Sequence, residues 1–250
     1  MDSTWINIGY LTVAMVIIFH HQLSLTSKFT SLRLPKSLQD NLQKVTILDL
    51  MQMEGARHVG VCYGTVGDNL PSPLDVINLY KKNEIEMLRL YEPSPPILEA
   101  LRGSKILVSL GIKNQDLANL ASSQDAANEW VQTNVVPYKE DVSFSWITAG
   151  NEVIPGPLSQ YVPGAMNNIY NTLVAIGLDR INVTTVLAAT ALGTSYPPSA
   201  GAFSSEVIDV MTQVSTFLHH YGGPLMIDVY PYFAYANNPT NISLDYALFN

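Results

Sequence analysis

The sequence predicts an α/β fold of the (β/α)8 TIM-barrel type, and three observations lead there. Short apolar runs alternate with stretches of helical periodicity from Val59 onward, the rhythm of parallel βαβ units. The turn after the first run, Tyr63-Gly64-Thr65-Val66-Gly67-Asp68, has neither the third glycine of an open dinucleotide-binding sheet nor a helix at the right place. Polar and aromatic residues gather at the carboxyl ends of the runs, where a barrel keeps its chemistry.

At 250 residues the chain is long enough for one large domain with a sizeable core. Acidic residues outnumber basic ones 21 to 13, for a formal charge of −8. Such a chain offers phosphates no basic patch, so nucleic acid is not expected as a partner. The single Cys62 leaves no internal disulfide framework and no cysteine-rich metal site. Within Val59-Gly60-Val61-Cys62-Tyr63 it reads as a small buried hydrophobe.

Residues 1–28 read as a signal peptide or signal anchor. Trp5 to Phe19 is apolar but shorter than the about 20 residues that span a bilayer. Residues 29–57 carry Arg33, Lys36, Lys44 and Arg57 in a short interval and are expected to be a linker or pro-region without an assigned function. Residues 58–250 are the expected barrel domain. Two sequons, at Asn182 and Asn241, suit a glycosylated secreted product.

The barrel elements follow in order. Val59 to Tyr63 is the first strand, and Pro71-Ser72-Pro73 opens a helix through Val76, Ile77, Leu79 and Tyr80, proline being tolerated in a first turn. Met87 to Tyr91 is the second strand, followed by a short helix from Pro95 that glycine closes at Gly103. Lys105 to Leu110 is the third. Leu117, Leu120, Ala127, Trp130 and Val131 then predict one long helix over Asn114 to Val135. Ser145 to Gly150 is the fourth strand, with a helix from Val162 to Ile176 that stops at Gly177. The β-branched run from Asn182 to Ala189 is the fifth, its helix Ser205 to Tyr221 stopped by Gly222-Gly223, and Pro224 to Tyr230 is the sixth.

The fourth strand, Trp146-Ile147-Thr148-Ala149-Gly150-Asn151-Glu152-Val153, ends in an amide beside a carboxylate. Burial disfavours the ionised form of a carboxyl, and an acid that keeps its proton near neutrality is what a general acid has to be. Alone, Glu152 reads as the first solvated residue after a strand. Its surroundings add meaning. Tyr63, Tyr91, Tyr230, Tyr232 and Phe233 at the strand ends are flat walls of the kind that stack on sugar rings, and Arg89 shares the inward parity of Tyr91. Arg89 suits a substrate contact and a buried partner for a carboxylate equally well.

Retaining glycoside hydrolysis uses two carboxyl groups about 5 to 5.5 Å apart, one donating a proton and the other attacking the sugar. Glu152, at the end of the fourth strand, would be half of such a pair, with Asn151 beside it to hold a sugar hydroxyl. Asp228, inside the sixth strand, reads as a buried hydrogen-bonding group, and Glu92 as a solvated loop acid, so the second role goes to neither. His219-His220 lies on a helix away from the strand ends, so no serine or metal constellation is found, and no cofactor is expected.

Six segments of the chain resemble the plant 1,3-β-glucanases of glycoside hydrolase family 17. They are Val59-Gly60-Val61-Cys62-Tyr63-Gly64, Asp68-Asn69-Leu70-Pro71-Ser72, Met87-Leu88-Arg89-Leu90-Tyr91, Ala149-Gly150-Asn151-Glu152-Val153, Tyr196-Pro197-Pro198-Ser199-Ala200-Gly201 and Val229-Tyr230-Pro231-Tyr232-Phe233-Ala234-Tyr235. The resemblance implies a (β/α)8 barrel that hydrolyses internal linkages of 1,3-β-glucan with retention. It also implies that Glu152 is the acid/base and Asn151 the amide that contacts the sugar. A secreted location in the cell wall or apoplast, or a vacuolar one, is expected, with the complete protein a monomer. The family's nucleophile is a glutamate within a Glu-Ser/Thr-Gly-Trp-Pro motif at the end of the seventh strand, and no such motif occurs in this sequence. The resemblance therefore implies an incomplete barrel of about six βα units. Two further readings follow from that departure: a non-catalytic β-glucan-binding protein, or a fragment without function of its own.

Overall fold

The computed structural model describes residues 15–18, 60–195 and 200–245. The expected linker at 29–57 and the segment Tyr196-Pro197-Pro198-Ser199 lie outside the described residues, as does the expected signal at 1–28 apart from its strand at 15–18.

Six strands line up in sequence order: β1 (Gly60–Tyr63), β2 (Met87–Leu90), β3 (Leu107–Ile112), β4 (Ser143–Asn151), β5 (Asn182–Ala188) and β6 (Met226–Val229). Each pairs in parallel with the next, which gives the half-barrel of βα units that the alternating pattern predicts. Met15–Ile18 adds an antiparallel strand along the free side of β6.

Helices cover one face of this sheet because parallel strands joined by right-handed crossovers place them there. Helix α1 (Pro73–Lys82) starts where Ser72 Oγ accepts from the Asp75 N–H at 3.2 Å, with Pro73 in its first turn. Helix α2 (Pro95–Leu101) follows β2. The helix expected as one piece over Asn114 to Val135 is broken into a 3-10 turn (Asn114–Asp116), α3 (Leu117–Ser122) and α4 (Gln124–Asn134). The break is a capping effect: Ser123 is extended, and its hydroxyl accepts from the Ala126 N–H to start a new helix. Helices α5 (Val162–Ala175) and α6 (Ile208–Tyr221) follow β4 and β5.

Strand alternation separates two environments. Leu88, Leu90, Val108, Leu110, Ile147 and Val183 pack against helix residues such as Ile77, Leu101, Val131, Ile169 and Met211 in one apolar core. The opposite face holds Arg89, which alternates with Leu88 and Leu90. Cys62 and Ser109 lie beside Arg89 in the strand register. A barrel interior that keeps a guanidinium dry needs a counter-charge, and the site supplies it.

The β2–β3 layer is tight at its upper end. A Cβ on Gly111 would lie 2.3 Å from the Tyr91 carbonyl oxygen and 2.8 Å from that of Leu90. Gly111→Ala is therefore expected to destabilise the chain by about 1–3 kcal/mol, read as a lower urea midpoint at unchanged slope. A midpoint equal to wild type contradicts this close passage of the backbone.

Candidate active site

β4 runs apolar to Ala149 and then changes character. Gly150 follows at φ 90°, where a Cβ would meet Val153 Cγ2 at 2.9 Å, so the turn admits glycine alone without rearrangement. Glu152 sits at φ 52°, the left-handed region that residues with a Cβ seldom occupy. The β4–β5 register shifts between Thr148 and Asn151, yet the Glu152 N–H still donates to the Val186 carbonyl at 2.9 Å. The chain thus swings both side chains off the strand direction while its backbone stays anchored to β5.

Those side chains join one network. Arg89 on β2 donates from Nη1 to Asp228 Oδ1 on β6 at 2.9 Å, the two residues being 5% and 1% exposed. Its Nη2 donates to Asn151 Oδ1. A guanidinium has donors only, so this contact turns the amide oxygen of Asn151 toward Arg89 and leaves the Nδ2 hydrogens as the free donors. Burial pushes the Asp228 carboxyl up, against the pull of Arg89.

Tyr230, directly after β6, donates its phenol to Glu152 Oε1 at 2.8 Å. Burial pushes that phenol well above its ordinary range, and the Glu152 carboxylate it serves pushes it further, so Tyr230 remains a donor through the neutral range. Glu152 Oε2 has no hydrogen-bond partner among the described residues. Glu152 is half-buried, with Oε1 held by the Tyr230 phenol.

Tyr91 carries the Arg89 guanidinium over its ring, 4.8 Å from the centroid. Burial raises the Tyr91 phenol and likewise the Cys62 thiol beside it, so Cys62 remains an un-ionised, buried group. Tyr232 and Phe233 stand at the start of α7 (Pro231–Asn237), 61% and 58% exposed. Their rings continue outward from Tyr230, the Tyr230–Phe233 and Phe233–Tyr232 centroids each being 5.9 Å apart.

The structure therefore brings together Glu152, Asn151, Arg89, Tyr91 and Tyr230, with Tyr232 and Phe233 as an exposed extension. Tyr63 is the exception. The inward position on β1 belongs to Cys62, in register with Arg89, so Tyr63 points to the helices, where its ring meets Tyr80 edge-on at 6.1 Å. A ring 7% exposed in that core is no wall of the groove. Glu92 is exposed and lies 3.7 Å from Lys113 Nζ. Asn114, just after β3, is a residue that strand-end reasoning passed over. It donates from Nδ2 to the Asn151 carbonyl at 3.0 Å and accepts at Oδ1 from the Asn151 N–H at 2.9 Å. Its signal was position alone, two residues past the end of a barrel strand. Among the described residues, no three His, Cys, Asp or Glu side chains converge as ligands for a metal ion.

A family model described as glycosyl hydrolases family 17 matches residues 59–250. The chain is 48% identical over 200 residues to a glucan endo-1,3-beta-glucosidase of Vitis vinifera, covering 78% of this chain and 58% of that protein. It is 47% identical over 196 residues to a glucan endo-1,3-beta-glucosidase of Pisum sativum, covering 76% of this chain and 53% of that one. Among solved structures, a plant β-glucan endohydrolase superposes with a TM-score of 0.72 at 43% identity, covering 77% of this chain and 62% of the other. A β-1,3-glucanase and allergen of Cryptomeria japonica pollen superposes with a TM-score of 0.73 at 41% identity, covering 78% and 62%. The chain thus spans a little over half the length of these curated relatives.

Removing one partner of the buried Arg89–Asp228 pair strands the other charge. Asp228→Ala is expected to cost about 3–5 kcal/mol, and the double variant Arg89→Met with Asp228→Leu to cost less than the sum of its parts. An Asp228→Ala chain as stable as wild type in urea contradicts the pairing.

Proposed function

The chain belongs to glycosyl hydrolase family 17, and we propose that it supplies the proton-donor half of a retaining endohydrolase acting on internal 1,3-β-glucosidic linkages of β-glucans. The observation that carries this reading is Glu152 itself. It leaves the strand in a left-handed turn, Tyr230 holds one oxygen, and the other has no hydrogen-bond partner among the described residues.

In this mechanism Glu152 donates its proton to the glycosidic oxygen while a second carboxylate, which no acid among the described residues is placed to supply, attacks the anomeric carbon and displaces the leaving sugar; Glu152 later withdraws a proton from the water that cleaves the resulting glycosyl ester. Asn151, its oxygen turned to Arg89, offers its Nδ2 hydrogens to a hydroxyl of the sugar being cleaved. Tyr230, Phe233 and Tyr232 supply a stepped aromatic surface on which successive rings of a glucan stack. The second carboxylate is not drawn from Asp228, which is committed to Arg89, nor from Glu92, which is solvated beside Lys113. A secreted or vacuolar location accompanies this reading, and the exposed Asn241 of the second sequon suits a glycosylated product.

The same commitment of Asp228 and Glu92 favours a second reading, a β-glucan-binding protein that uses the groove without turnover. Hydrolysis of a linear 1,3-β-glucan by the chain, compared with Glu152→Gln, separates them. Where the wild-type chain turns over, the first reading expects a loss of about 10²- to 10⁴-fold in the variant. Equal, measurable rates in both remove Glu152 from the chemistry. Binding of a glucan oligomer without turnover, weakened by Tyr232→Ala, supports the second reading.

A further inference from the structure

We propose that Asn114 is a positioning residue whose side-chain amide fixes the direction in which Asn151 and Glu152 leave the strand. The inference rests on the functional reading above and extends it to a residue on a different βα unit.

The β3–β4 ladder ends at the pair Ile112 and Ala149. Beyond that point β3 turns away through Lys113 into the 3-10 turn Asn114–Asp116, so the peptide of Asn151 loses its strand partner on this side. Asn114 replaces it. Its carboxamide carries one donor group and one acceptor in the geometry of a peptide, and it uses both on the same residue: Nδ2 donates to the Asn151 carbonyl and Oδ1 accepts from the Asn151 N–H. The side chain thus acts as one further rung of the ladder after the backbone of β3 has departed.

On its other side the turn is held by β5. The Glu152 N–H donates to the Val186 carbonyl, and the Ala188 N–H donates to the Ile154 carbonyl at 3.2 Å. Gly150 and Glu152 both have positive φ, with Asn151 between them. A backbone in that sparsely populated region persists only where its surroundings over-determine it. Asn114 and β5 are the two sides of that constraint, and Asn114 is the side made by a side chain, so it can be removed without touching the strands. Asn114 makes no hydrogen bond to the side chain of Glu152 among the described residues, and its effect on that carboxylate runs through the backbone.

The test uses the full chain and compares wild type, Asn114→Ala and Asn114→Asp by amide hydrogen exchange and by hydrolysis and binding of a 1,3-β-glucan oligomer. In Asn114→Ala the N–H of Asn151 is expected to exchange at least about 10-fold faster, and that of Glu152 to follow although its own acceptor on β5 is intact, while the amides of β3 and β5 stay protected. Asn114→Asp keeps the acceptor for the Asn151 N–H but sets a carboxylate oxygen against the Asn151 carbonyl where Nδ2 donated, and is expected to restore protection at Asn151 only in part. Displacement of Glu152 by a fraction of an ångström is expected to lower kcat on the order of 10²-fold with KM changed little. Wild-type exchange at both Asn151 and Glu152 in Asn114→Ala overturns the proposal, and so does faster exchange confined to Asn151 with kcat unchanged. A wild-type chain that neither binds nor cleaves the oligomer defeats the functional reading instead, and the exchange rates still decide whether Asn114 holds the turn.

Discussion

The site depends on a guanidinium kept out of water. Arg89 is buried in the interior of the half-barrel, and its two terminal nitrogens reach Asp228 on β6 and Asn151 at the end of β4. Such a pair is not a large net source of stability, because the cost of desolvating both charges offsets most of their attraction. What it imposes is geometry. A planar fork whose two terminal nitrogens donate to acceptors on two other strands fixes where those strands sit relative to β2, and it fixes which way the Asn151 amide faces.

The second constraint is the backbone at the end of β4. A strand that continued in extended geometry would carry Glu152 on along the ladder, one face or the other. The positive φ values at Gly150 and Glu152 break that alternation, and the hydrogen bonds to Val186 and from Asn114 hold the broken geometry in place. Tyr230 then fixes one carboxylate oxygen from β6. Four of the six βα units thereby contribute to the position of one carboxylate, which is how a barrel holds a functional group more precisely than a loop does.

Much of this was legible in the residues. The alternation of apolar runs and helical periods predicts six parallel strands, and the strand-end rule selects Glu152, Asn151, Arg89, Tyr91 and Tyr230 because a parallel barrel gathers those ends on one face. Tyr63 shows where the rule stops. On a four-residue strand with both faces buried, the apolar pattern does not reveal which parity is inward, and the register of Cys62 with Arg89 decides it. The helix expected over Asn114 to Val135 shows a similar limit: its apolar spacing continues across Ser123, and the cap that divides it is a local hydrogen bond that periodicity does not register. Asn114 was hidden for a third reason. Its role is to pair with a peptide distant in sequence, and no local pattern encodes that.

The account stands most directly on where Glu152 meets a ligand. The decisive measurement is a crystal structure of the chain, with Glu152→Gln to prevent turnover, soaked with a linear 1,3-β-glucan oligomer. The expected result places the carboxamide at position 152 within roughly 2.6–3.2 Å of a glycosidic oxygen, with Asn151 Nδ2 on a hydroxyl of the adjoining sugar and rings of the oligomer on Phe233 and Tyr232. An oligomer seated on another face, or one that crosses the strand ends with position 152 turned away from every glycosidic oxygen, contradicts the account.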